Sequence, residues 1–233
     1  MDHFQIIYQQ RAADYHGLIA AEDARSNLPA ALKAVTPFQG KKVVDIGTGT
    51  GRIPLIFNNE AARIVALDTQ RAMLVENQIQ REERAGSWQI LQADARSLPL
   101  PNGWADLSTA GWTFGHMLSW YAQSWKMEVS QALQEMIRIT RPGGFIIVIE
   151  TLGSRVPRAP SLQLSEYYNW LEDEWDFRSQ EVRTDYQFSS VEEAVEKTEF
   201  FFGSELALAI QENQWTRLPE WTGIWYWQKP RHP

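Results

Sequence analysis

The run Asp45-Ile46-Gly47-Thr48-Gly49-Thr50-Gly51, directly after the apolar pair Val43-Val44, constrains this chain more than any other stretch. It sits where a strand must hand over to a helix. Glycine there permits a sharp turn and lets backbone approach a ligand closely, at a helix N-terminus that favours a carboxylate or phosphate. The local chemistry is that of a nucleotide or anion cradle, with a purely structural glycine turn as the alternative. A dinucleotide fingerprint requires Gly-x-Gly-x-x-Gly, but counting from Gly47 puts Arg52 last, and counting from Gly49 puts Pro54 there. The spacing is Gly-x-Gly-x-Gly.

After Gly40, short apolar runs alternate with helical periodicity. Strands are expected at Val43–Ile46, Arg63–Leu67, Trp88–Leu91, Trp104–Ala110 and Phe145–Ile149, and helices at 51–59, 70–84 and 126–140. Such alternation predicts an α/β fold with a parallel sheet. Residues 4–36 have the patterning of two helices, ended by Pro37. Beyond residue 160 the spacing predicts a helix at 161–174, a strand at 180–188, one broken or two short helices around Gly203, and a last strand at Trp221–Gln228. Without repeats or a long linker, residues 1–233 are expected to be one domain: a helical segment to 38, a core over 39–152, and a covering segment with the last two strands over 153–233.

Two further acids follow predicted strands. Asp68, 17 positions after Gly51 and followed by Thr69, ends the second strand, where a carboxylate accepts both hydroxyls of a ribose; a helix cap for the segment opening at Gln70 is the alternative. Asp94-Ala95 follows the third, where a carboxylate and the next backbone N–H match the donor and acceptor edge of adenine, or form a turn.

Composition removes several function classes. The 233 residues hold no cysteine, which excludes disulfides, thiolate zinc sites and a cysteine nucleophile. A formal charge of −7 argues against a large phosphate-tracking surface, so a nucleic-acid partner is disfavoured. The nearest basic groups, Lys41-Lys42 and Arg155 with Arg158, read as solvated surface. With no long uncharged apolar run and no secretory layout at Met1-Asp2-His3-Phe4, a soluble cytoplasmic protein is expected.

Three elements in this order resemble the class I S-adenosylmethionine-dependent methyltransferase family, in its small-molecule branch. The resemblance covers residues 40–152 well and the C-terminal segments more loosely. It implies a doubly wound, seven-stranded, mostly parallel sheet of order 3-2-1-4-5-7-6, with the last strand antiparallel between its neighbours. In that family the loop matching Asp45, Gly47, Thr48, Gly49 and Gly51 holds the methionine end of the cofactor, the acid matching Asp68 binds ribose, and the pair matching Asp94 and Ala95 reads adenine. The opening Tyr8-x-x-Arg11-Ala12-Ala13-Asp14-Tyr15 is similar to the lid helices of small-molecule members, where an aromatic such as Tyr15 closes over the site.

Methyl transfer is an in-line displacement that demands alignment and exclusion of water, with a general base as an option. Gly111, Trp112 and His116 follow the fourth strand and are expected beside the donated methyl, with Gly111 permitting close approach, Trp112 walling the cavity and His116 as base or as a hydrogen-bonded residue at a helix start. Glu150 is a second base candidate. An Asp- or Asn-Pro-Pro-aromatic sequence, which marks amino-methylating nucleic-acid enzymes, is replaced here by Ala110-Gly111-Trp112-Thr113. No trio of carboxylate and amide ligands suggests a magnesium site. Residues 161–233 hold fifteen of the 28 Phe, Trp and Tyr residues, among them Tyr167, Tyr168, Trp170, Trp175 and Phe200–Phe202, which suits either a cover for a planar acceptor or ordinary core packing. Competing readings are a non-catalytic S-adenosylmethionine sensor, a nicotinamide-dependent oxidoreductase, and an RNA or protein methyltransferase.

Overall fold

The computed structural model describes residues 2–153 and 161–231; Arg155 and Arg158 lie outside them. Strands β1 (Lys42–Ile46), β2 (Arg63–Asp68), β3 (Gln89–Gln92), β4 (Ala105–Gly111) and β5 (Thr140–Gly153) pair in parallel. β6 (Arg178–Arg183) and β9 (Trp221–Gln228) complete a seven-stranded sheet of order β3-β2-β1-β4-β5-β9-β6, with β9 antiparallel to both neighbours. This is the expected doubly wound order, β6 and β9 standing as its sixth and seventh strands.

Both faces of the sheet are covered, which is why the central strands read as unbroken apolar runs. Alternate residues divide between two cores. Val43, Ile64, Leu107, Ile147 and Ile224 face one layer with Leu28 and Leu32 of α3 (Asn27–Val35) and Ile53 and Phe57 of α4 (Arg52–Phe57). Val44, Val65, Ile146, Val148 and Trp225 face the other, against α6 (Phe114–Trp120), α7 (Trp125–Ile139) and α8 (Leu162–Asp173). On α7 the buried residues Trp125, Val129, Ala132, Leu133, Met136 and Ile139 recur at helical spacing and form one apolar stripe.

The remaining elements gather beyond the strand ends. α1 (His3–Gln10) packs Ile7 and Tyr8 against Met73 of α5 (Arg71–Glu83). α2 (Ala12–Ile19) contributes Leu18 to a separate small core with α9 (Val191–Phe202), α10 (Ser204–Asn213) and the two-stranded sheet of β7 (Tyr186–Gln187) and β8 (Arg217–Leu218).

Two expectations need correction. Residues 4–36 form three helices, because Arg11 leaves helical geometry at φ −131° and ψ 36° and divides α1 from α2. The strand expected over 180–188 is two: Asp185 accepts from Arg183, Arg217 and the Glu220 amide, and at that corner the chain leaves the large sheet. Tyr167, Tyr168 and Trp170 are buried in the α8 core, where their spacing on one helix face puts them. α6 was not among the expected helices; its apolar pattern is too short to stand out from the strand before it.

Asn77 of α5 ties three elements together at full burial. Its Oδ1 accepts from Trp88 Nε1 at 2.8 Å, and its Nδ2 donates to Gly49 O at 3.1 Å. Asn77→Ala strands both partners, so urea unfolding should show a loss of about 1–3 kcal/mol, against near-neutrality if the contacts contribute nothing.

Candidate active site

The tips of β1, β2, β3 and β4 open into one cavity. Of the residues singled out in the sequence, Asp45, Gly47, Thr48, Gly49, Asp68, Thr69, Asp94, Ala95, Gly111, Trp112, His116 and Tyr15 all line it. Gly51 does not: at φ +97° it opens α4 in a left-handed conformation, which explains glycine there without a ligand. Gly47 is held to glycine by a close approach, since a Cβ would overlap the side chain of Thr113.

Much of the amide cradle expected of the loop is already engaged. Thr48 N donates to Leu67 O at 2.9 Å, Gly49 N to Asp68 Oδ2 at 2.8 Å, and Gly51 N to Thr48 O at 3.0 Å. A pyrophosphate therefore finds few free donors, which tells against the nicotinamide reading. The loop instead offers acceptors. Asp45, buried in the floor, takes a hydrogen bond from Thr109 Oγ1 at 2.7 Å on Oδ1, while its Oδ2 is buried without a partner among the described residues. Burial pushes this carboxyl up to about 7, against the pull of Thr109 and Thr48. An orphaned carboxylate oxygen in a cavity wall suits an ammonium group.

Asp68 serves the fold and the cavity together. Its Oδ1 accepts from Gln70 N at 2.8 Å, just ahead of α5, whose N-cap is Gln70 and not Asp68, and Oδ2 holds the glycine loop. Each oxygen retains a second lone pair for a hydroxyl. Asp94 is gripped by Arg96 through Nε at 2.9 Å and Nη2 at 2.6 Å, and that guanidinium holds its carboxyl below the usual range. Arg96, also in the lining, was missed in the sequence; nothing separates it there from any surface arginine.

A second cavity of about 400 Å³ adjoins the first. Tyr8, Tyr15, Ile19, Arg52, Trp112 and His116 line both. His116 Nε2 lies 2.7 Å from the Tyr8 hydroxyl, and its ring stacks on Trp120 at 5.2 Å. Trp120 Nε1 in turn donates to Asp2 at 2.7 Å. Burial drives the His116 imidazole down to about 4, so it is neutral near pH 7. Trp112 sits at φ +51°, rare for a bulky side chain, with Arg52 over its ring at 4.0 Å. Phe201 and Phe202 line the second cavity, so the aromatic cover expected of the C-terminal third is real at these positions.

Glu150 also lines the second cavity and accepts from Gly115 N at 2.9 Å, fixing the start of α6. Burial pushes Glu150 and Glu220 up to about 8, Glu22 adding to the effect at Glu220. Acids with raised folded-state values bind more protons folded than unfolded, so their stabilisation is full below about pH 4.3 and is lost as pH rises through about 8. The melting temperature should fall as pH rises from about 4.3 to about 8 and fall less in Glu150→Gln/Glu220→Gln. Equal slopes in the two proteins would refute the assignment.

Residues 44–148 match the family model for a methyltransferase domain. Demethylmenaquinone methyltransferase of Thermus thermophilus is 31% identical over 112 residues, 47% of either chain. The ubiquinone/menaquinone biosynthesis C-methyltransferase UbiE of Azotobacter vinelandii is 29% identical over 117 residues, 48% of this chain and 43% of that one. The chain thus spans about half the length of the curated relatives it matches. Among solved structures, a SAM dependent methyltransferase from Aquifex aeolicus superposes with a TM-score of 0.58 at 16% identity, over 91% of this chain and 97% of that one.

Proposed function

We propose that this chain, whose residues 44–148 match the family model for a methyltransferase domain, transfers a methyl group from S-adenosylmethionine to a small planar acceptor held in the second cavity. The carrying observation is the convergence of Asp45, Asp68 and Asp94 from three successive strand tips on one cavity that opens beside Trp112 and His116. In this reading the unpartnered Asp45 Oδ2 takes the ammonium of the methionine end, Asp68 the ribose hydroxyls, and Asp94 with the Ala95 amide the adenine edge.

The bound cofactor supplies an electrophilic methyl on a sulfonium, whose S–C bonding pair stays on sulfur as the acceptor atom forms its new bond. The chain aligns the two and excludes water, with Trp112, Tyr15 and the α1–α2 pair as walls. A proton leaving the acceptor has one neutral destination within the shared wall, the hydrogen-bonded Tyr8–His116 pair. Demethylmenaquinone belongs to the relatives' name; for this chain the proposal is the wider class of planar small molecules, set in the cytoplasm. No helix among the described residues is long and apolar enough to cross a membrane.

Calorimetry tests the first half: S-adenosylhomocysteine should bind wild-type protein, and Asp68→Ala should weaken it at least tenfold. A folded protein that ignores both S-adenosylmethionine and its product would remove the reading entirely. For the second half, radiolabelled methyl transfer to pooled planar metabolites should reveal an acceptor, and His116→Ala should lower turnover roughly 10²-fold or more with product affinity little changed. Undiminished turnover would acquit His116. Binding without transfer to any acceptor would make the chain a sensor.

A further inference from the structure

The loop after β3 is held by one face of α7. Glu128, Gln131, Glu135 and Arg138 recur at spacings of three and four along that helix, so they share a face. Glu128 accepts from Arg96 Nη1 at 2.6 Å, Gln131 Nε2 donates to Arg96 O at 3.3 Å, and Glu135 accepts from Leu98 N at 2.7 Å. Arg138 completes the row by donating to Leu98 O at 2.9 Å and to Leu100 O at 2.8 Å. The part of the chain that brings Asp94, Ala95 and Arg96 to the first cavity is therefore braced from behind.

Within that loop, Arg96 closes on the carboxylate two positions before it. Asp94 Oδ1 accepts from Arg96 N at 2.8 Å and from Arg96 Nε at 2.9 Å, and Oδ2 accepts from Arg96 Nη2 at 2.6 Å. Among the described residues Oδ1 is thus filled, whereas Oδ2 retains a lone pair. The guanidinium carbon lies 5.1 Å from the centre of the Tyr121 ring, and Tyr121 also lines the cavity. Both oxygens of Asp94 are gripped by a planar fork that Glu128 and Tyr121 hold in turn. The Asp94 side chain is 39% exposed, where an ungripped carboxylate would sample several rotamers. Ion pairs this open to water contribute little to folding, so the grip matters mainly for what it does to Asp94.

Building on the methyl-transfer reading, in which Asp94 meets the adenine edge, we propose that Arg96 is the positioning residue for base specificity: it fixes Asp94 so that the remaining lone pair of Oδ2 accepts from the exocyclic amino group of the base. A base that carries an oxygen in place of that amino group sets two acceptors against each other at Oδ2 and is refused. The preference of the first cavity for aminopurine over oxopurine nucleosides thus depends on Arg96 as well as on the carboxylate it holds.

Titration calorimetry with S-adenosylhomocysteine and S-inosylhomocysteine, whose bases carry an amino group and an oxygen respectively at the same ring carbon, tests this. The adenine form should bind wild-type protein at least about ten times more tightly, roughly 1.4 kcal/mol. In Arg96→Gln the margin should shrink below about threefold, as in Asp94→Ala, and Arg96→Gln/Asp94→Ala should lose nothing further, because Arg96 acts through Asp94. A loop that was merely loosened would weaken both nucleosides alike and leave the margin standing. Arg96→Lys keeps the charge but cannot span both oxygens, so its margin should fall at least about threefold; it carries the test should Arg96→Gln lose its folded circular dichroism. The proposal falls if wild-type protein shows no margin, if the margin survives the loss of Arg96, or if the double variant discriminates less than Asp94→Ala alone. Should neither nucleoside bind wild-type protein, the methyl-transfer reading falls and this assignment with it, an outcome distinct from binding without discrimination.

Discussion

The contact between Gly47 and Thr113 governs the geometry of everything around it. With no side chain at 47, Thr113 closes onto the loop after β1, and its Oγ1 lies 3.3 Å from both Ile46 O and Gly47 O. The loops following two adjacent parallel strands are thereby locked together at the point where the sheet order reverses direction. Crevices form at such switch points because the connections on either side lead to opposite faces. Here the buried Asp45, Trp112 and His116 line the same crevice. Asn77 and Asp68 brace the same loop from the opposite side.

Arg96 and Arg52 show how one residue type takes different roles by environment. Arg96 lies on an open rim, spends its donors on Asp94 and Glu128, and shapes a carboxylate for use by others. Arg52 is largely enclosed, pairs with Glu22, and has one nitrogen without a hydrogen-bond partner among the described residues. Composition cannot distinguish them. Desolvation does, since an unmet donor is tolerable in water and expensive away from it.

Most of the fold was legible in the sequence because its signals are local. The handover at Gly47, the apolar runs of β1, β2, β4 and β5, and the break at Gly203 each lie within a few residues of the feature they report. The acids of the first cavity were legible for the same reason, since they stand at strand ends. The other side was not. Tyr8 and His116 meet across 108 positions, and Arg52 meets Glu22 across 30, with neither pair preceded by any periodicity. Gly51 drew attention as part of a ligand loop, although a helix start suffices to explain it. The division at Asp185 escaped notice because a buried carboxylate with three donors leaves no mark on the alternation around it.

The small core shared by Leu18, Tyr186, Phe188, Ala194, Ile210 and Leu218 is separate from the two layers that flank the main sheet. The segment that carries Phe201 and Phe202 rests on this small core and, through Phe200 and Phe201, on the cluster of Ile7, Tyr8 and Met73. Substitutions in the small core would therefore reach the second cavity, through Phe201, before they reach either layer of the main sheet.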